Sequence, residues 1–163
     1  MEYPTEHEMI EIYNPIFEEN VKIDKGISEL ISLLWEVGLM TINSCQENKP
    51  GVMWITFPAF DAERFLNIIC TKQFDSKGNF DSIYDGLSSW DSGPKWQFDA
   101  HVIDYSEVIT EDDEIDYEGP PNLEFEISIR FPIKEYLNIL KRVKKWKKEY
   151  STLENYYKLT ESD

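Results

Sequence analysis

Residues 24–46 read DKGISELISLLWEVGLMTINSCQ, and the rest of the chain arranges itself around this stretch. Asp24 offers a carboxylate to a first helical turn, and Ile27, Leu30, Ile31, Leu34 and Trp35 recur at the three-four spacing of one helical face. Such a face has to be buried. Gly38 supplies the left-handed residue that commonly ends a helix, and Met40, Thr41 and Ile42 then read as a strand opening into a polar turn, Asn43-Ser44-Cys45-Gln46. Scaffolds tend to present functional groups where strands open into loops, so Ser44, Cys45 and Gln46 are ligand-binding candidates. The competing reading is a cysteine packed as a small apolar side chain beside a turn, since no partner base accompanies it in sequence.

Downstream, Lys49-Pro50-Gly51 is a break, and Val52 to Phe57 is expected to pair with Met40 to Ser44 as a hairpin. Pro58 ends it, Asp61 can cap, and Ala62, Phe65, Leu66, Ile69 and Cys70 make a second helical stripe, with Cys70 in the core. Upstream, Met9 to Tyr13 reads as a first strand, or a short helix, broken by Asn14-Pro15. Phe17 to Ile23 reads as a connection anchored by Phe17, Val21 and Ile23.

Two later segments alternate cleanly: Trp96, Phe98, Ala100 and Val102 in one, and Leu123, Phe125, Ile127, Ile129 and Phe131 in the other. Each is a strand with one buried face. Their polar sides would bring Asp99 and His101 close to Glu124, Glu126 and Arg130, a second set of ligand-binding candidates. A solvated outer face of an antiparallel sheet has the same pattern. Pro132 opens a final helix with Ile133, Tyr136, Leu137, Leu140 and Val143 inward, docked by its first half. Lys141, Arg142, Lys144, Lys145, Lys147 and Lys148 point outward, as a solvated face or as an internal partner for the acidic 104–118 connection. The fold class expected is α+β, a ferredoxin-like antiparallel sheet with helices on one face, an extra strand and a C-terminal helix. Residues 1–150 make a single domain and residues 151–163 a frayed tail.

The pattern Asp24, Gly26-Ile27, Leu30-Ile31, Leu34-Trp35, Gly38, Thr41 and Ser44-Cys45-Gln46 resembles a family of small bacterial and phage proteins. The likeness continues through Trp54 to Phe57, Asp61 to Phe65 and Ser128 to Pro132, and implies no particular activity. The turn is also similar to one in the wybutosine-synthesis methyltransferases, where a second serine and a basic residue follow. Gln46 and Glu47 stand here instead, so no chemistry carries over.

Lys and Arg number 16 against 32 Asp and Glu, a formal net charge of -16. That balance repels phosphate backbones and anionic membranes and favours a basic protein partner. Residues 1–133 hold 27 acids and 8 bases, whereas residues 134–163 hold 5 acids and 8 bases. Asp104 to Glu118 carries eight acids and no base, a solvated connection that cannot easily collapse onto a core. With two cysteines, no apolar run of membrane length and no leader pattern, the chain reads as a reduced cytoplasmic protein without a disulfide framework. No phosphate loop or nucleophile-elbow motif is present, and two histidines exclude a histidine-rich metal site. The expected cofactor is none, and the expected metal is none.

Two functions follow from these features. The first is a non-enzymatic acidic protein that binds or inhibits a basic protein, of the toxin-immunity or phage counter-defence kind. Its contacts would come from Asp112, Asp113 and Glu114, with Tyr84 and Trp90 from the 74–95 segment as aromatic anchors. The second is a small-ligand pocket for a nucleotide-like signal, built from Ser44, Cys45, Gln46, Asp99, His101 and Arg130. A weaker third is a cysteine or metal enzyme in which His101 serves Cys45 as base.

Overall fold

The computed structural model describes residues 6–70, 76–79, 81–88 and 96–161. Trp90 lies outside them. An N-terminal hairpin, β1 (Met9–Asn14) and β2 (Glu19–Asp24), pairs Met9 with Asp24 and Asn14 with Glu19. The 17–23 segment expected as a connection is therefore mostly strand. The buried Asn14 side chain turns the chain by accepting from the N–H groups of Ile16 and Phe17.

A short 3-10 turn at Lys25–Ile27 leads into α1 (Ser28–Glu36). Ile27, Leu30, Ile31, Leu34 and Trp35 are all buried, as their spacing requires. Asp24 does not cap this helix; its carboxylate accepts the N–H of Gln46 at 3.0 Å. Gly38, at φ +96°, ends α1 with its N–H on the Trp35 carbonyl. Residues 39–42 then run as an irregular connection, and the strand starts later than its apolar residues suggest: β3 is Asn43–Lys49. Ser44, Cys45 and Gln46 consequently lie within a strand and not in the turn beyond it.

The main sheet is β3, β4 (Val52–Pro58), β8 (Leu123–Pro132) and β5 (Gln97–Asp104), in that spatial order and antiparallel throughout. The class is α+β, with an antiparallel sheet and C-terminal helices. Its order comes from two hairpins whose inner strands, β4 and β8, pair with each other, rather than from interleaved strand-helix-strand units. Met53, Ile55 and Phe57 of β4 and Ile129 and Phe131 of β8 face the core. On the other face the buried Thr56 and Ser128 hydroxyls meet at 2.8 Å.

After Pro58, α2 (Ala59–Ile69) buries Ala62, Phe65, Ile68 and Ile69, and Phe65 stacks on Phe57 with ring centroids 5.0 Å apart. Asp61 sits in the first turn, paired with Arg64. Cys70 is only half-buried, at the end of α2. A short helix, α3 (Ser82–Ser88), follows.

α4 (Tyr136–Tyr150) buries Ile139, Leu140, Val143 and Trp146, so it docks along its length and not by its first half alone. Leu137, expected inside, is 74% exposed. Lys144 and Lys147 pair with Glu29 and Glu36 of α1, and Arg142 pairs with Asp81, so much of the basic face is engaged within the fold. In place of a frayed tail, Leu153–Thr160 forms α5. Thr152 caps it by accepting from the Asn155 N–H, and the Leu153 N–H donates to the Val37 carbonyl at 2.9 Å. Trp146, Tyr150 and Tyr156 cluster with centroids 4.9–5.7 Å apart, which gives the tail an apolar seat.

Candidate functional site

The segment between β5 and β8 is a second small hairpin, β6 (Glu107–Ile109) and β7 (Ile115–Tyr117). It reaches beyond the sheet, as a stretch with eight carboxylates and no base must if it is not to bury charge. Its base is tied by Asp104, whose carboxylate accepts from the Ser106 hydroxyl at 2.6 Å and from the N–H groups of Ser106 and Asn122 at 2.9 Å each. Those bonds, the Ser106 hydroxyl foremost, hold the Asp104 carboxyl below its ordinary range.

At the tip the Thr110 N–H reaches the Glu114 carbonyl at 2.9 Å, and Asp113 takes a left-handed conformation at φ +58°. This turn displays Asp112, Asp113 and Glu114 to solvent. Beside them Ile109, Ile115 and Tyr117 are 75%, 62% and 57% exposed. Among the described residues, no lysine or arginine forms a salt bridge with the acids from Glu107 to Glu118. The basic face of α4 is not their partner.

The apolar surface continues onto the sheet. Leu123 and Phe125 of β8 and Phe98 and Val102 of edge strand β5 are on the same face as Ile129 yet stay about half exposed. Because Pro58 pairs with Glu126, β8 runs three residues past the end of β4. The gap is a groove of about 500 Å³, lined by Phe17, Met40, Ile42, Pro58, Tyr105 and Phe125 with Glu124 and Glu126 among its polar walls. The Tyr105 hydroxyl donates to Glu126 at 3.1 Å.

The polar face of the sheet has the expected register. Gln97 lies opposite Arg130, Asp99 opposite Ser128, His101 opposite Glu126 and Ile103 opposite Glu124. Arg130 pairs with Asp99, approaches Asn48 at 3.4 Å and lies over the Trp54 ring at 5.8 Å. Arg130 is thus engaged by residues of its own face.

The eight ligand-binding candidates do not form one site. Ser44 pairs with Ile55 and faces the opposite side from Cys45. Cys45 lies in the row of Gln97, so His101 is three interstrand spacings away, about 14 Å, and four residues further along the strand, about 13 Å, too far for a thiol and its base. Tyr84 is half-buried on α3.

Cys45 has other neighbours that the sequence does not reveal. β2 runs beside β3, and His7, Asp24 and Cys45 each present a donor atom within 4.8 Å of the other two. Burial pushes the Cys45 thiol above its ordinary value; the Glu47 N–H offsets this in part, and the nearby negative charge of Asp24 raises it further. That thiol is not an activated nucleophile. His7 lies 38 residues before Cys45, and Asp24 reads as a helix cap, so only the fold joins them.

These features define an α+β protein with a solvent-facing acidic hairpin beside an apolar groove. Among the described residues no helix is long and apolar enough to cross a membrane. No protein-family model and no solved structure matches the chain. The chain belongs to the family of the uncharacterised protein R428 of Acanthamoeba polyphaga mimivirus. The two are 30% identical over 156 residues, which cover 89% of this chain and 73% of the viral protein.

Proposed function

We propose that this is a non-enzymatic recognition protein that binds, and thereby inhibits, a basic protein through the β6–β7 hairpin and the groove at its base. The reading rests on one observation: Asp112, Asp113 and Glu114, without lysine or arginine partners among the described residues, stand beside the exposed Ile109, Ile115 and Tyr117. A net charge of -16 steers a cationic surface toward the tip, while the apolar residues and the groove supply contact energy that salt does not screen. The groove suits a lysine or arginine side chain, whose apolar stem fits Phe17, Met40 and Phe125 and whose charged head meets Glu124 and Glu126. The setting we propose is the cytoplasm, and the role is that of an immunity or counter-defence protein, in keeping with a viral relative.

The test is affinity capture from a host lysate by the immobilised chain, at ionic strengths from about 0.05 to about 0.5 M. The expected result is one strongly basic protein, retained less as salt rises and lost when Asp112, Asp113 and Glu114 are changed to Asn, Asn and Gln. Retention of the same partner by that triple variant, unaffected by salt, overturns the reading.

A further inference from the structure

We propose that His7, Asp24 and Cys45 form a binding site for a divalent transition metal of the zinc type. An imidazole nitrogen, a carboxylate oxygen and a thiol sulfur lie within 4.8 Å of one another, brought together from the residues before β1, the end of β2 and the middle of β3. Zinc bond lengths of about 2.0–2.3 Å in tetrahedral geometry set neighbouring donors roughly 3.3–3.8 Å apart. Closing the three onto an ion therefore asks for movements of about 1 Å, within the range of side-chain rotation.

The donor set argues for the class of ion. A thiolate with an imidazole selects zinc, cobalt or ferrous iron over the hard cations calcium and magnesium, which take oxygen ligands. Three protein ligands leave a fourth position for water or a further group. The surroundings also hold the ligands. The Gln46 N–H orients the Asp24 carboxylate at 3.0 Å, and His7 Nε2 contacts the Glu47 carbonyl oxygen at 3.3 Å, the kind of outer contact that fixes a ligating imidazole. Asp24 is itself buried, at 8% exposure, so its carboxylate is held at the site and not spread into solvent. On binding, the S–H bond breaks, the proton passes to buffer and a sulfur–metal bond forms, with no change of oxidation state.

This site is independent of the recognition surface. Cys45 shares a row with Trp54, Arg130 and Gln97, whereas the hairpin leaves the sheet at Asp104 and Leu123, seven residues or about 23 Å along the strands. The ion would tie the N-terminal segment and the β1–β2 hairpin to edge strand β3.

The test is titration of the full, reduced chain with Co2+ and then Zn2+. The expected result is one equivalent of Co2+ with a thiolate-to-cobalt charge-transfer band and intense tetrahedral visible bands, displaced by Zn2+, with about one proton released. The charge-transfer band disappears in Cys45→Ser, persists in Cys70→Ser, and Zn2+ affinity falls more than about tenfold in His7→Ala. Because Asp24 also holds β3, His7→Ala carries the test if Asp24→Asn fails to fold. A weak six-coordinate spectrum without a sulfur band, unchanged in Cys45→Ser, overturns the proposal and assigns the cation to surface carboxylates.

Discussion

The Trp35 indole N–H donates to the Thr41 hydroxyl at 2.9 Å, with both side chains buried, so the end of α1 is locked to the connection that feeds β3. Thr41→Val keeps the shape but strands a buried donor, at a cost of about 1–3 kcal/mol. Urea unfolding should show a lower midpoint at an unchanged slope.

Leu34 and Leu137 separate the buried stripe from the exposed one. Leu34 is fully buried and Leu137 is 74% exposed. Leu34→Ala should cost about 2–5 kcal/mol, and Leu137→Ala should stay within about 0.5 kcal/mol of the parent in the same assay.

Asp81 gives the fold a defined acid sensitivity. Burial opposes its charge, but the Arg142 guanidinium and the N–H groups of Tyr84 and Ile83 outweigh that and hold its carboxyl below the ordinary range. A depressed carboxyl contributes stability that is complete above the unfolded value near about 4 and is lost as pH falls through the lower folded value. Asp81→Asn should therefore cost about 1–3 kcal/mol at neutral pH, and its difference from the parent should shrink below about pH 4, as read from denaturation midpoints against pH.

Asp104 should control the hairpin without controlling the fold. A two-stranded hairpin is marginal by itself, and Asp104→Ala removes three hydrogen bonds from its base. Limited proteolysis between residues 105 and 121 should accelerate several-fold while the melting temperature stays close to the parent's.

Much of this was legible in the chain because periodic burial dominates long elements. The α1 face, Ala62, Phe65 and Ile69 of α2 and the Ile129–Phe131 end of β8 stand where their spacing puts them; β5 is a strand as its alternation requires, but no residue from Gln97 to Asp104 is buried, and Leu123 and Phe125 of β8 stay exposed with Phe98 and Val102 of β5. Residues 43–49, NSCQENK, carry little strand propensity and form β3 because β4 offers backbone partners, which local composition does not record. α5 was hidden because its first residue is anchored to Val37, far away in sequence, and because its Tyr156 reaches the Trp146 and Tyr150 rings only after the chain reverses at Ser151. The candidate sites divided the same way. The acidity of 104–118 was plain, its hairpin form was not, and the approach of His7 and Asp24 to Cys45 depends wholly on how β2 lies along β3.

The most direct measurement is the association rate of the captured basic partner with this chain and with the variant Asp112→Asn, Asp113→Asn and Glu114→Gln, followed by surface plasmon resonance across ionic strength. The account predicts that the rate for the parent falls steeply with salt and that the variant is about tenfold slower at low salt, with a flatter salt dependence and an unchanged melting temperature. Equal rates and equal salt slopes for the two proteins would contradict it.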